Sequence, residues 1–431
     1  MKKMDDLKVS VGVSEMWDAK SAGIDVARKT LNGIGGKKPD FFLLFSTIHY
    51  KNYGGFQEFL NGVNEILPVG TILIGGTITG FISKEGCFVH GACAMAVSYP
   101  NMDIVTGIGR NTRRDPKKSA NDCANMIKEG LKKSKYQNKF LIDLISGPTI
   151  PKVPGFGRVN YVKDKKIGNF MVKKGMDFAA KLGYGIGKEE DVVDELASIM
   201  PDFNIIGGSS ADDGKFLGDF QFIGNKVFTE SIVALGGCID REVLMEAKTK
   251  VPKYRKTVKI TETVYGSRII TKINNKPAKE EFFKAMGIFP EQFRDLDAFY
   301  YRTSDYFLLT FDEENQHSTG TGAILGDNIL LGHKVRGDKM IISCISGNEI
   351  KYNFSSLLEK QEHNLSFMFG ISSAIVDIFI MGNKVYNIKN VFDKKFKDVP
   401  YLVLQPILEN GRIVGKKPFA RGYSILNSLS F

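Results

Sequence analysis

Two short stretches pair glycines with hydroxyl side chains and could hold a small ligand. They are Gly75-Gly76-Thr77 and Gly207-Gly208-Ser209-Ser210. Each ends an apolar run typical of a buried strand. Because glycine has no side chain, another group can approach the backbone there, and its N–H groups can hold a carboxylate. The stretches therefore predict two ligand-contacting strand ends.

A pair of carboxylates follows the second stretch, at Asp212-Asp213. These side chains could accept hydrogen bonds from a ligand ammonium group, while the backbone N–H groups before them hold a carboxylate. That combination suits an amino acid. Asp-Asp-Gly is also strong turn chemistry, so a turn is the alternative interpretation of the same residues.

Local motifs of enzymes are absent from the sequence. It contains no Walker A loop, no His-Glu-x-x-His and no Gly-x-Ser-x-Gly, which makes an enzyme the less favoured class. A hydrolase or transferase using Asp212, Asp213 and the hydroxyl of Thr77 or Ser209 is the enzymatic alternative. The five histidines, His49, His90, His317, His333 and His363, are all separate in sequence.

The elements around both stretches follow one order. Helical spacing of apolar residues runs into Pro68 before the first stretch and into Pro201 before the second. Asp115 and Pro116 are typical of a helix start, and Gly224-Asn225 predicts a hairpin turn. We therefore expect two pseudo-repeated halves, each helix–strand–helix–strand–hairpin with a mixed sheet, at about residues 1–110 and 111–247. The second half contains an insertion at about residues 147–190.

From residue 248 the pattern changes to paired strands with fewer helices, which predicts a separate α+β domain over residues 248–431. The predicted fold class is accordingly α/β in the broad sense, a mixed α+β protein. The N-terminal domain spans residues 1–247.

Composition narrows the class of partner. The 431 residues carry a net charge of +11, with basic residues in scattered pairs rather than one block. Scattered lysine pairs usually face water, so nucleic acid is an unlikely partner.

The N-terminus has no apolar stretch of signal-peptide length, and no run of residues is long and apolar enough to span a membrane. Five cysteines without Cys-x-x-Cys spacing fit a reducing interior. We expect a cytoplasmic protein.

The doubled Ile-Gly-Gly-hydroxyl plan, Ala211-Asp212-Asp213 with Phe216 after it, and the junction Ile273-Asn274-Asn275-Lys276-Pro277-Ala278 resemble the FIST family. The name stands for F-box and intracellular signal transduction, and its members have adjacent N- and C-terminal FIST domains. Residues 335–340 look like the glycine-marked strand of the C-terminal FIST domain. The sequence lacks the Cys-x-x-Arg and Gly-Glu-Ile that the family pattern has late in that domain.

The resemblance implies a cytoplasmic sensory module that binds a small ligand such as an amino acid. In some members the ligand is thought to be haem, which makes haem an alternative here, although not the favoured one. If haem binds, one of the five histidines is the expected axial ligand. Such modules are often attached to or encoded near signalling proteins. No kinase, cyclase or chemoreceptor segment is recognisable in the sequence, so we expect a separate signalling protein as partner.

Overall fold

The computed structural model describes residues 6–150, 152–153, 157–158, 161–248, 255–287, 308–312, 317–319, 321–343, 347–359, 365–374, 382–421 and 426–431. Helices and mixed sheets make up these residues, which confirms the mixed α+β class predicted from the sequence.

Residues 8–98 contain two helices and six strands. The second helix ends before Pro68: Leu67 is extended, as the residue before a proline usually is, and the chain then enters a strand. The elements are β1 (Lys8–Ser14), α1 (Ala19–Gly33), β2 (Phe41–Ser46), a 3-10 turn (Ile48–Lys51), α2 (Phe56–Ile66), β3 (Ile72–Thr77), β4 (Gly80–Ser83), β5 (Cys87–Phe88) and β6 (Ala92–Ser98).

Residues 102–239 begin their first helix where the sequence predicts it. The Asp115 side chain accepts a hydrogen bond from Lys118 N, and Pro116 occupies the first turn. Gly224, at φ +54°, turns the predicted hairpin. The elements are β7 (Met102–Arg110), α3 (Pro116–Leu131), β8 (Asn138–Ser146), β9 (Lys152–Val153), β10 (Gly157–Arg158), β11 (Tyr161–Val162), α4 (Lys165–Phe170), a π turn (Met171–Gly175), α5 (Met176–Lys181), α6 (Glu189–Ile199), β12 (Phe203–Ser210), β13 (Gln221–Ile223), β14 (Lys226–Phe228) and β15 (Ser231–Ile239).

The described residues from 244 onward are richer in strands. None of the helices in the described part of the chain is both long and apolar enough to cross a membrane. The elements are β16 (Leu244–Lys248), β17 (Arg255–Val264), β18 (Ile269–Ile273), β19 (Lys276–Pro277), α7 (Ala278–Met286), β20 (Leu308–Asp312), β21 (His317–Thr319), β22 (Thr321–Leu325), β23 (Asn328–Leu331), β24 (Lys339–Ser343), α8 (Gly347–Glu359), β25 (Met368–Ile371), a 3-10 turn (Gly382–Val385), α9 (Tyr386–Lys395), β26 (Tyr401–Gln405), β27 (Glu409–Arg412), β28 (Phe419–Arg421) and β29 (Leu426–Ser430).

Three six-stranded sheets share one pattern of pairing. Sheet I has the order β1-β6-β2-β3-β13-β14, sheet II the order β7-β15-β8-β12-β27-β28, and sheet III the order β16-β29-β25-β26-β4-β5. In each sheet the central pair is parallel, namely β2–β3, β8–β12 and β25–β26. The other neighbours are antiparallel, so all three are mixed sheets.

Each of these sheets ends in a hairpin from elsewhere in the chain. The β13–β14 hairpin extends sheet I, β27–β28 extends sheet II, and β4–β5 extends sheet III. Sheets II and III therefore contain strands from both sides of residue 247, where the sequence predicts a domain boundary. That boundary and the two repeated halves stay predictions.

The three sheets enclose one core and carry their helices outside. Alternate residues of each strand point to opposite faces: Phe45, Leu144 and Leu404 belong to a core shared by all three sheets. Residues on the opposite faces pack against the α1–α2, α3–α6 and α8–α9 pairs respectively. The ends of the parallel strands are thereby fixed relative to one another.

The remaining strands form sheet IV, in the order β11-β22-β23-β18-β17-β24-β20-β21, with β19 beside β18. Its core packs against α7. Strand β11 comes from the predicted insertion and pairs with β22, with Tyr161 opposite Ile324. The insertion therefore links sheet II, which it leaves after β8, to sheet IV.

Candidate functional site

The first glycine pair lies in β3, where neighbouring main chain approaches it closely. A Cβ atom on Gly75 would lie 1.7 Å from the carbonyl oxygen of Leu44, and one on Gly76 would lie 2.3 Å from that of Phe220. Neither distance is sterically allowed. These glycines are required by the packing of β3 against β2 and against the residue before β13.

The second glycine pair, in β12, makes room for two different groups. A Cβ on Gly207 would lie 2.1 Å from Oδ1 of Asp143, and one on Gly208 would lie 2.7 Å from Cγ of Pro406. The close approach that the sequence predicts at both pairs is thus made by the protein's own atoms in this structure.

The hydroxyl groups after the glycines bind the hairpins from elsewhere in the chain. Thr77 Oγ1 accepts a hydrogen bond from Phe220 N at 3.0 Å, and Ser209 Oγ accepts one from Leu408 N at 3.1 Å. The two stretches also meet, because Ala211 N donates to Thr77 O at 2.9 Å. Thr77 and Ser209 therefore hold the sheets together at this edge.

Thr77→Val is expected to destabilise the protein by about 1–3 kcal/mol, because valine has the same shape but leaves the N–H of the half-buried Phe220 without its acceptor. Urea unfolding followed by circular dichroism measures the difference. Thr106→Val, at a half-buried strand position, is the matched control and should change stability by less than about 0.5 kcal/mol. Equal effects of the two substitutions would argue against this role for Thr77.

The predicted carboxylate pair is divided between a turn and the surface. Both oxygens of Asp212 accept backbone hydrogen bonds, from Phe216 N at 2.8 Å and from Leu217 N at 2.6 Å. Burial raises its pKa, against the effect of these bonds. Asp213 is exposed and pairs with Lys215. The contacts of Asp212 are therefore those expected for a turn.

A polar cluster, which sequence reasoning missed, surrounds Asp219. Its Oδ1 accepts hydrogen bonds from Ser146 Oγ at 2.7 Å, Ser210 Oγ at 3.0 Å and Gln221 Nε2 at 2.6 Å. Its Oδ2 accepts one from Arg113 Nη2 at 2.7 Å. Of the predicted site residues, Ser210 is the one that contacts Asp219. We call Arg113, Ser146, Thr149, Ser210, Asp219 and Gln221 the Asp219 cluster.

The Asp219 cluster occupies the edge at which parallel strands of α/β proteins bind ligands. Ser146 and Ser210 end the parallel strands β8 and β12 and lie opposite each other in register. Gln221 begins β13, so the cluster lies where sheet II meets sheet I. Ligands of open α/β sheets bind outside the carboxyl ends of parallel strands.

Arg113 connects the cluster to the inserted residues. The Arg113 and Asp219 side chains are 4% and 3% exposed. Arg113 also donates to the carbonyl oxygens of Gly147 at 3.2 Å and Gly183 at 3.1 Å, and to Thr149 Oγ1 at 2.7 Å. A buried ion pair is tolerated when such hydrogen bonds replace the lost hydration.

Residues of the predicted insertion contact the cluster. Thr149 and Gly185 exchange two backbone hydrogen bonds, of 2.8 and 2.7 Å. Glycine is required at Gly183, whose φ is +80° and at which a Cβ would lie 2.3 Å from the Glu230 carboxylate. We call residues 147–148 and 183–185 the covering residues, since Arg113 of the cluster donates to the carbonyl groups of Gly147 and Gly183.

The described histidines pack against other side chains of the protein. The rings of His49 and His90 stack with centroids 3.5 Å apart, and Trp17 packs on His90. Burial, with His90 beside it, lowers the pKa of His49 to about 4. His333 is buried against Glu190. The side chain of His317 and the whole of His363 lie outside the described residues.

No metal centre is present within the described part of the chain, where no group of three or more His, Cys, Asp or Glu side chains is placed to hold an ion. The cysteines at positions 93, 123 and 238 are free thiols. The fifth, Cys344, lies outside the described residues.

Comparison with solved structures finds only distant likeness. A cyanuric acid hydrolase from A. caulinodans is 8% identical and aligns over 55% of this chain and 72% of its own, with a TM-score of 0.26. A second cyanuric acid hydrolase structure is 7% identical over 98% of this chain and 99% of its own, with a TM-score of 0.32. PurLQS from Thermotoga maritima is 10% identical over 99% of this chain and 73% of its own, with a TM-score of 0.21. Scores this low support no argument about function.

Comparison with families gives a clear result. No curated protein matches the sequence significantly. The family described as FIST N domain matches residues 40–276, which include both glycine stretches and the Asp219 cluster. This match covers more than half of the chain, so the chain belongs to the FIST family.

Proposed function

We propose that this protein is a sensor for an amino acid or a similar small metabolite, and that the Asp219 cluster is its ligand site. FIST domains are sensory domains of signal transduction. The observation that carries the proposal is the buried Arg113–Asp219 pair, ringed by hydroxyl and amide groups at the carboxyl ends of β8 and β12.

The charges of the cluster complement an α-amino acid. The guanidinium of Arg113 can bind a carboxylate through two parallel N–H groups. The carboxylate of Asp219, with the hydroxyls of Ser146 and Ser210, offers acceptors to the three N–H groups of an ammonium. Binding would thus replace the Arg113–Asp219 ion pair by two others. The ligand carboxylate would pair with Arg113, and the ligand ammonium group would pair with Asp219.

Binding at this site requires the covering residues to move, because Arg113 must release the carbonyl groups of Gly147 and Gly183. That movement has a structural route to sheet IV. The insertion continues from the covering residues into β11, which pairs with β22, and into α4, where Lys165 and Asp327 form a 2.8 Å ion pair. We propose that the position of the insertion against sheet IV reports whether the site is occupied.

The alternatives drawn from the sequence have less support. An enzyme that uses Asp212 and Asp213 would need carboxylates that converge, whereas Asp212 closes a turn and Asp213 pairs at the surface. A haem sensor would need an axial ligand, and the rings of His49 and His90 stack on each other while His333 lies against Glu190.

A thermal-shift screen of the twenty amino acids, followed by calorimetry on each hit, tests the proposal. A ligand at 100 times its dissociation constant should stabilise the folded protein by about 2.7 kcal/mol. Asp219→Asn and Arg113→Lys should weaken binding by about 10- to 100-fold, since each removes hydrogen bonds to a ligand charge. Ser210→Ala, which keeps the ion pair, should weaken binding less.

Asp122→Asn is the matched control, because Asp122 is an exposed carboxylate of α3 paired with Lys118. It should leave binding unchanged. A ligand that binds Asp219→Asn and Arg113→Lys as tightly as the wild type would place the site elsewhere. No shift with any amino acid at millimolar concentration would refute the ligand class.

A further inference from the structure

A groove of about 480 Å³ crosses the surface between the C-terminal ends of α3 and α6 and the start of β8. We call it the α3–α6 groove. Four lysines line it: Lys128, Lys132, Lys135 and Lys139. Asp202 supplies the one carboxylate among its lining residues. The groove is therefore strongly positive.

The charges of these lysines are only partly neutralised. Lys139 pairs with Asp202 at 2.5 Å. Lys132 lies 3.6 Å from Glu129, but both side chains are more than two-thirds exposed, and such pairs contribute little. Lys128 donates to a backbone carbonyl, and Lys135 lies over the Tyr136 ring at 5.2 Å. Three of the four ammonium groups can therefore pair with an incoming anion.

A half-buried tyrosine, Tyr136, lies at the wall of the groove, whereas the apolar side chains of Leu131, Met200 and Phe203 beneath it are buried. Tyrosine is typical of protein interfaces. A groove with a cationic rim and a partly exposed tyrosine fits an acidic segment that also carries an aromatic or aliphatic side chain.

We propose that the α3–α6 groove is the docking surface for an acidic peptide segment of a partner protein. The distribution of charge over the chain favours a peptide over a nucleic acid. Basic residues elsewhere are scattered in pairs rather than gathered in one block, whereas a nucleic acid is bound along an extended basic surface. The groove lies at the opposite end of β8 from the Asp219 cluster, so the ligand and the partner occupy separate surfaces.

Fluorescence anisotropy with a labelled twelve-residue peptide of Glu-Glu-Phe repeats tests the proposal. The wild-type protein should bind the peptide at low ionic strength and lose affinity as salt is added, because the attraction is between exposed charges. Lys132→Glu with Lys135→Glu should weaken binding by at least about tenfold. Tyr136→Ala should also weaken it, without any change in net charge.

Lys37→Glu with Lys38→Glu is the charge-matched control, since both residues are exposed, lie before β2 and do not line the groove. It should change affinity by less than about twofold. Equal weakening by the two double substitutions would overturn the proposal, because the attraction would then be general. Tighter wild-type binding of a single-stranded oligonucleotide of equal charge, lost on substitution in the groove, would overturn it in favour of nucleic acid.

Discussion

Asp143→Asn is expected to flatten the pH dependence of stability and to give a protein more stable than the wild type above about pH 6. Asp143 lies in the middle of β8, 3% exposed. Its carboxyl accepts hydrogen bonds from Asn410 Nδ2 at 2.9 and 3.0 Å. Burial raises its pKa to about 8, although the bond from Asn410 opposes the rise.

The sign of the effect follows from the two pKa values. The folded value of about 8 lies above the ordinary value of 3.8, so ionisation is harder in the folded protein. The wild type is therefore penalised increasingly as pH rises from about 4 through 8, and it loses about 4 kcal/mol between about pH 5 and pH 9. Asparagine has the same shape and does not ionise. The substitution lowers the free energy of unfolding by about 1–3 kcal/mol at every pH, because one amide N–H of the new asparagine lacks an acceptor.

Urea unfolding at intervals between pH 5 and pH 9 measures this difference. Asp122→Asn, at an exposed carboxylate of α3, is the control and should keep the wild-type slope. If Asp143→Asn also keeps that slope, Asp143 titrates near its ordinary pKa, and the burial argument fails.

The sequence predicts local elements well, because their causes lie within a few residues. Asp115 and Pro116 start α3, Pro68 follows the end of α2, and Gly224 turns the β13–β14 hairpin. Each of these signals acts on its own backbone. The same holds for the glycine pairs, which mark close approach correctly but do not reveal that the approaching atoms belong to β2, Asp143 and Pro406.

The Asp219 cluster could not be predicted in this way. Arg113 and Asp219 are far apart in sequence and meet only because sheet I receives its hairpin from residues 221–228. In the sequence, Arg113-Arg114 looks like one of many basic pairs facing water. Arg114 is indeed about half exposed, while Arg113 is buried. No local pattern distinguishes two adjacent arginines with such different surroundings.

Sheet III was missed for a related reason. Its parallel strand β26 has the pairing pattern of β3 and β12. However, β26 contains Val403 and Leu404 and has no glycine pair. The strands of sheet IV also separate β16 from β25 in the chain. Strand order in such a sheet depends on which hairpin reaches which edge, and this is decided by packing in the shared core rather than by periodicity.

Glu189→Gln is expected to stabilise the protein at alkaline pH and to change little at about pH 4.5. Glu189 is the first residue of α6 and fully buried. Neither of its carboxylate oxygens has a hydrogen-bond partner in the described structure. Burial raises its pKa to about 7, and the charge of Glu190 adds to the rise, while His333 and Arg268 oppose it.

The cost of ionising Glu189 grows as pH rises. The folded pKa of about 7 lies above the ordinary value of 4.5, so the wild type loses about 2–3 kcal/mol between about pH 5 and pH 9. Ionisation of Glu189 weakens the contact between α6 and sheet IV, where Arg268 pairs with Glu190 and with Asp191. Urea unfolding of wild type and variant across this range measures it.

Glu190→Gln is the matched control, one residue away and with the opposite pKa shift. Burial raises the pKa of Glu190, but the Arg268 guanidinium and His333 outweigh burial and hold it well below its ordinary value. Removing this carboxylate leaves Arg268 with Asp191 alone and should destabilise the protein by about 3–5 kcal/mol at neutral pH. If both glutamines destabilise alike at about pH 8, Glu189 is ionised and paired in solution, and α6 meets sheet IV through a different arrangement of charges.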